Sequence, residues 1–512
     1  MYRSLFFPSL DVCPRVCNDA ECRSLVAVHA PPVLLMVGQQ QRIGTALRAV
    51  RVMRDVIDRR GKLELAWQKE CNRAKLPQHQ RRLLRDVCSG TLRWLEYYGR
   101  LIDYTAPAKL ADDLELRLLA ASTLYQSENM QKAPDQSTLR RAAADCCSQL
   151  GKPHAANGIK ELCRRVLAME YEDRRQASTE ASTYSLPTWM HAKLDSDEQA
   201  KRWLEASGHL LLERPDFLNV CVPPEAVYGG PSQYAQMLRR DEGLEAEPSA
   251  VAPHGVLIRS RPRDVEALPG IAKNIVHVQD TAQQYACSVL RPLGEGERIL
   301  DACAAPGGKS RSLLFHHPHA SITAIDMNGK KVSAMREALH ASQEEESTGR
   351  EPDPDTSDGG LSHRRRSQMR FIHADVTDVA SWWDGIPFSA AVVDPPCTAS
   401  GLLRTIPEVK AHRTEEDLTI LRRMQLHRLR SIWPLIKPGG ELLYTTCSIL
   451  KDENDVVIAT FLKRNADATP AVLELPKGIA SLTARRRKRG ALLFYPSEIH
   501  QGGFAALLRK AE

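Results

Sequence analysis

The chain has 512 residues, 43% hydrophobic and 26% charged, and a formal net charge of +7. That length calls for two or three domains, and the composition excludes a globally disordered or fibrous chain. The mild basic excess suits a nucleic-acid partner without requiring one. Thirteen cysteines lie scattered, with no C-x-x-C pair. This excludes a secreted disulfide framework and argues against zinc, so no metal is expected. No apolar run approaches the ~20 residues that span a bilayer. A reducing cytoplasm without a membrane partner is the expected setting.

Residues 1–40 carry two short apolar runs, Leu5–Phe7 and Val33–Val37, with Asp11, Asp19, Glu21 and Arg23 between them. Neither is long enough for a secretory core. The segment is expected to be an unstructured tail, or a mis-assigned start with Met36 as the true first residue. Residues 41–175 are predicted to be helical. Ala46, Val50, Met53 and Ile57 form one apolar stripe; Leu84, Val87, Cys88, Thr91, Leu95 and Tyr98 repeat the pattern, as do Ile159, Leu162, Cys163, Val166 and Leu167. Pro107, Pro134 and Pro153 punctuate them. The result is an all-α bundle, either a scaffold or a basic RNA-binding module. Residues 176–285 are broken by prolines into short pieces, predicted as a small α+β bridging domain.

Residues 286–512 change to alternating strand and helix. Strands are predicted at Arg298–Ala302, Ser321–Asp326, around Phe371-Ile372, at Ala390–Asp394 and at Gly440–Thr445, with an antiparallel hairpin at 491–495 and 504–508 closing the domain. Helices are predicted from Ser310, from Gly329 to about Ala341, through Leu418–Ile436 and through Val456–Leu462. Alternation of this length means an α/β, Rossmann-like parallel sheet. Residues 342–368 hold three consecutive glutamates, two prolines, Gly359-Gly360 and Arg364–Arg366 with almost no apolar residue. A disordered surface insertion is expected there. The basic run Arg485–Arg489 reads first as a solvated face and second as an RNA contact.

Open α/β sheets place ligands at the carboxyl ends of their strands, and three loops there carry chemistry. The first is Asp301-Ala302-Cys303-Ala304-Ala305-Pro306-Gly307-Gly308-Lys309. Its small residues let the backbone approach a ligand, and its glycines can adopt positive φ and present N–H groups. It matches neither G-x-G-x-x-G nor a Walker loop. A cofactor bearing an amino-acid carboxylate and a sulfonium fits better than a pyrophosphate. Asp326 ends the second strand, where ribose hydroxyls are held. Asp375 follows the third, within reach of an adenine amino group. One such Asp alone reads as a helix N-cap; Asp301, Asp326, Asp375 and Asp394 at successive strand ends read as a site. The other two loops carry Cys397, after Asp394-Pro395-Pro396, and Cys447, in Thr446-Cys447-Ser448. An isolated cysteine is usually core, the reading for Cys146, Cys147 and Cys303. Cys397 and Cys447 differ because each follows a strand on the ligand side.

Together these three motifs resemble the S-adenosylmethionine-dependent RNA cytosine-C5 methyltransferases. Gly401-Leu402-Leu403-Arg404, Pro407-Glu408-Val409-Lys410 and Val278-Gln279-Asp280 extend the match. The helical part resembles a NusB-type RNA-binding domain, which points to the branch acting on small-subunit ribosomal RNA. The resemblance spans roughly residues 41–512. It implies that residues 303–309, Asp326, Asp375 and Asp394 bind S-adenosyl-L-methionine, that Cys447 attacks cytosine C6, and that Cys397 helps resolve the adduct. Asp394, if protonated, hydrogen-bonds the base at N3. Arg404 and Lys410 are expected on flanking phosphates, and the protein is expected to be a monomer. Two positions depart from the pattern: Pro395, where relatives often carry Ala or Val, and Gly502-Gly503-Phe504, where they often show Asp-Gly-Phe. Amino-group methyltransferases follow Asp-Pro-Pro with an aromatic, and DNA cytosine-C5 enzymes use Pro-Cys-Gln with a single thiol; neither fits here. A non-catalytic RNA-binding or antitermination protein with a relic domain is the alternative of another class.

Overall fold

The structure is a computed structural model that describes residues 39–130, 133–224, 228–260, 262, 264–348, 369–475 and 483–512. These group into two compact units, neither a single stretch of chain. The first takes the described residues up to Ala192, plus Leu211–Glu213 and Ile406–His412. The second takes Lys193–Leu210, Arg214–Thr405 and Arg413–Glu512. Of the tail expected over 1–40, all but the last two residues lie outside the described residues; those two begin the first helix.

The first unit is helical, with its longer helices at Gln39–Arg59, Gln78–Arg93, Leu114–Asn129, Gln136–Gln149 and Ala156–Leu167. Its apolar stripes meet in one core: Val50 and Met53 with Leu84, Val87 and Cys88, and with Ile159, Leu162, Cys163 and Val166. Cys146 and Cys147 are part of that packing. Asp113 and Asp135 cap their helices by accepting from the Leu116 and Thr138 N–H groups at 3.1 and 2.9 Å.

The second unit contains two sheets. β1 (Leu218–Cys221), β2 (Ala246–Pro248), β3 (Gly255–Ile258) and β4 (His277–Val278) form an antiparallel sheet in the order β2-β3-β1-β4. The helix Gly230–Asp241 packs on it through Tyr234 and Leu238. The larger sheet comprises β5 (Arg298–Ala302), β6 (Ser321–Asp326), β7 (Met369–His373), β8 (Phe388–Val393), β9 (Ile436–Thr446), β10 (Ala468–Ala471), β11 (Ala484–Arg486), β12 (Leu492–Phe494) and β13 (Gly503–Lys510). Its order is β11-β12-β13-β9-β8-β5-β6-β7, with β10 on β13. β9, β8, β5, β6 and β7 run parallel, and β13 runs antiparallel to both β9 and β12. β8 is buried at every residue, Ser389 included, as a strand of a parallel sheet covered on both faces should be. The strand order reverses at β5, which has β6 on one side and β8 on the other. That reversal opens a crevice at the carboxyl ends, where doubly wound sheets bind ligands.

Three expectations change. The helix expected through Leu418–Ile436 ends at Ile432, and Ile436 opens β9. The helix from Gly329 continues to Thr348 instead of ending near Ala341, so residues 342–348 are helix. Gln and Glu are good helix formers, and a helix needs no apolar face where it is only being extended. The rest of the expected insertion, with Arg364–Arg366, lies outside the described residues. Asp301 is not at a strand end; it lies within β5, paired with Ala324 and Val392, and is fully buried. Among the described residues no helix is long and apolar enough to cross a membrane.

Arg487, from the basic run 485–489, turns inward. Its guanidinium donates to Asp455 at 2.9 and 2.7 Å, to Gln199 at 2.7 Å and to Asp197. All three charged side chains are at least nine-tenths buried. Removing the cation alone strands two buried carboxylates, so Arg487→Met is expected to cost about 3–5 kcal/mol. Urea unfolding measures this, and an unshifted midpoint would show that the cluster contributes nothing net.

Candidate active site

Three loops meet above the carboxyl ends of β5, β8 and β9. The first begins at Cys303, which adopts φ 62°, and ends at Gly307, with φ 103°. A side chain at Gly307 would need that left-handed backbone and would also crowd Met335 at 3.1 Å. The helix Gly308–His316 starts immediately after, which leaves N–H groups at its first turn. Asp326, at the end of β6, holds the loop in place: its Oδ2 accepts from the Ala305 N–H at 3.1 Å and its Oδ1 from the Asn328 N–H at 2.8 Å. Asp375 accepts from the Thr377 N–H and hydroxyl at 2.9 and 2.8 Å. The Thr377 N–H bond is the main reason its carboxyl sits below the usual range. This backbone cradle, with carboxylates at two successive strand ends, fits a ligand that carries an amino-acid head and a nucleoside.

Lys309 reaches across from the first loop to the second. Its Nζ donates to Asp394 Oδ2 at 2.6 Å, while Thr445 donates to Asp394 Oδ1 at 3.1 Å. Burial works to lower the Lys309 pKa, but the charge and hydrogen bond of Asp394 outweigh it and hold the ammonium above its ordinary value. Cys397 and Cys447 then stand with their sulfurs 3.1 Å apart. Cys397 is buried and Cys447 half-buried. Cys397 is pushed well above the ordinary thiol range, first by its hydrogen bond to Cys447 and then by burial.

The two thiol loops are tied together by backbone. Gly401 N–H donates to the Cys447 carbonyl, and Gly502 N–H donates to the Gly401 carbonyl, both at 2.9 Å. A Cβ on Gly401 would come within 2.5 Å of the Gly502 oxygen, and one on Gly502 within 2.7 Å of Gly401 Cα. Glycine at 502, a departure from the expected acid, thus sits where two backbones touch. Arg413 donates to the Cys397 and Thr398 carbonyls, both at 3.3 Å. Ser400 Oγ accepts from the Ile449 N–H at 3.0 Å and lies 2.9 Å from Ser448 Oγ.

Arg404 and Lys410 are not placed for phosphates, and that expectation is corrected. Arg404 is buried, donates to the Ser497 carbonyl and lies over the Phe217 ring. Lys410 belongs to the helical unit and is fully enclosed. Its ammonium donates to the Arg93, Leu211 and Tyr184 carbonyls at 2.9, 3.3 and 3.5 Å. Burial pushes its pKa well below the ordinary lysine range. Lys309 and Asp394 are expected site residues, but their pairing, Arg413 and the acid Glu453 behind the thiols are absent from the sequence reading. Among the described residues no group of three His, Cys, Asp or Glu is poised to hold a metal.

Beneath the site, Ser310 donates to Asp301 at 2.5 Å, and burial raises the Asp301 carboxyl to about 7. An unfolded Asp titrates near ~3.9. The proton is therefore held more tightly when folded, and this contribution is fully present below about pH 4 and lost as pH rises through about 7. Relative to Asp301→Asn, the native protein should lose stability steadily across that window, measured as unfolding free energy against pH. A pH-independent difference would contradict this assignment.

The family model described as "16S rRNA methyltransferase RsmB/F" matches residues 288–349 and 361–509. A ribosomal RNA small subunit methyltransferase B from Xanthomonas campestris is 30% identical over 471 residues, covering 92% of this chain and 98% of that protein. One of the same description from Xylella fastidiosa (strain Temecula1) is 33% identical, covering 82% and 88%. Among solved structures, the crystal structure of PH0851 superposes with a TM-score of 0.69 over 93% of this chain at 20% identity, a likeness of fold.

Proposed function

We propose that this chain, which belongs to the 16S rRNA methyltransferase RsmB/F family, methylates C5 of a cytosine in small-subunit ribosomal RNA through a covalent adduct to Cys447. The observation that carries the reading is the 3.1 Å approach of two thiols beside the Lys309–Asp394 pair. Two sulfurs in contact at a ligand crevice suit a reaction that needs one to attack a ring and another to act after it. The helical unit is read as the NusB-type RNA-binding part. A basic RNA-binding surface there would give an affinity that falls with salt.

The residues of the first loop, from Cys303 to Lys309, with Asp326 and Asp375, would hold S-adenosyl-L-methionine. When bound, it supplies an electrophilic methyl group. Cytosine C5 is a poor nucleophile on its own. Addition of the Cys447 thiolate to C6 moves the C5–C6 π electrons onto C5, which is then able to take up the methyl group. Asp394 already shares its carboxylate with Lys309 and Thr445, so it is read as an acceptor for the exocyclic amine. Lys309 then donates toward N3 while charge builds on the ring, in place of a protonated Asp394, and keeps its proton when the ring is restored. Cys397, as thiolate, takes the C5 proton, and the returning electron pair expels Cys447 and restores the ring. A stacked cytosine would hide C6, so the target must be single-stranded or flipped out.

Tritiated methyl transfer from S-adenosyl-L-methionine to small-subunit RNA transcribed in vitro tests the reading. Cys447→Ala is expected to abolish transfer. Cys397→Ala is expected to leave an RNA–protein adduct that survives a denaturing gel. Full activity in Cys447→Ala would exclude the proposed nucleophile.

A further inference from the structure

Glu453 is fully buried on the turn that follows Cys447. Its Oε1 accepts from the Thr398 N–H and from Gln425 Nε2, both at 2.9 Å. Its Oε2 accepts from the Thr398 hydroxyl at 2.5 Å and from the same N–H at 3.2 Å. Gln425 Nε2 also donates to the Pro396 carbonyl at 3.0 Å, and the Glu453 carbonyl accepts from Tyr444 at 2.7 Å. The residues on both sides of Cys397 are therefore tied, directly or through Gln425, to one carboxylate on the other thiol's loop. Among the described residues this carboxylate makes no ion pair. A buried acid without a cation is costly, and its hydrogen bonds only partly offset that cost. Burial raises the Glu453 carboxyl, yet Thr398 and Gln425 both donate to it, as to a carboxylate.

We propose that Glu453 is the positioning residue of the thiol pair, setting which sulfur attacks and which waits for the C5 proton. This rests on the reaction proposed above. Contact with Cys447 and burial oppose ionisation of Cys397 most strongly, and the charge of Glu453 adds to them. At rest Cys397 therefore keeps its proton, and the attack on C6 falls to Cys447. Once Cys447 has become a thioether, its opposing charge is gone and its sulfur is only a weak acceptor. Cys397 can then release its proton to solvent and accept the C5 proton. With Glu453 still beside it, the resulting thiolate is a stronger base. The net product of the cycle is one methylated base and one proton, as methyl transfer from a sulfonium requires.

The test compares Glu453→Gln with the native enzyme, using S-adenosyl-L-methionine and small-subunit RNA transcribed in vitro. Turnover is expected to fall about 10–100-fold, with KM for the methyl donor changed less than about threefold. The RNA adduct should accumulate although Cys397 is intact, and the alkaline limb of the pH profile should move to lower pH. In a Cys397→Ala background the same substitution should change the adduct yield by less than about twofold, because the two residues act as one unit. Thr398→Val keeps volume but loses the hydroxyl, so it should give a smaller effect in the same direction even if Glu453→Gln folds poorly. Native-like turnover in both Glu453→Gln and Thr398→Val, or adduct lost in the Cys397→Ala background, would overturn the inference. Absence of any Cys447-dependent adduct in every variant, Cys397→Ala included, would instead overturn the underlying reaction.

Discussion

Val393 pairs with Tyr444, and from that single rung the rest of the site follows. Neighbouring strands lie about 4.8 Å apart, so the next residues, Asp394 and Thr445, come within hydrogen-bond distance. Each chain then has only a few residues in which to turn before its cysteine. Two loops leaving adjacent parallel strands in the same direction cannot diverge far in so short a span. Glycines at 401 and 502 remove the side chains that would otherwise keep them apart. The contact of the two sulfurs is thus set by sheet register and reinforced by backbone hydrogen bonds.

Charge is handled in three different ways inside this unit. Arg487 is enclosed with two carboxylates, a neutralised cluster whose members depend on one another. Lys309 and Asp394 form a pair in which the carboxylate remains a third exposed and the lysine is largely covered. That leaves one face open to a ligand. Asp301 and Glu453 are buried without such a partner, and burial raises both carboxyls. The first lies beneath the glycine loop and the second behind the thiols, so the site is lined on its inner side by acids of raised proton affinity.

Much of this arrangement could be read from the chain before any coordinates. The stretches at 298–302 and 321–326 are strands with those bounds, because a strand buried on both faces is mostly apolar in sequence. The two thiols stood out because each follows such a run. What escaped notice has a common cause: a charged residue in a loop reads as solvated, whatever its true surroundings. Lys410, Arg404, Arg487 and Glu453 are all buried by residues distant in sequence, and no local pattern records that. The error over residues 342–348 is of the opposite kind. A polar stretch looked like loop because nothing in it needed burial, yet its intrinsic preference was helical.

The polypeptide leaves the sheet unit after Thr405, spends seven residues in the helical unit, and returns at Arg413. Within those seven, Glu408 accepts from the Leu63 N–H at 3.1 Å, and Lys410 is enclosed by carbonyls of the helical unit. The helical unit is therefore not a detachable module. Cutting the chain ahead of the methyltransferase sequence would orphan a lysine and a glutamate whose hydration has already been surrendered to that unit. The segment concerned begins only nine residues after Cys397, so a truncation meant to simplify the protein would disturb the loop that carries the second thiol.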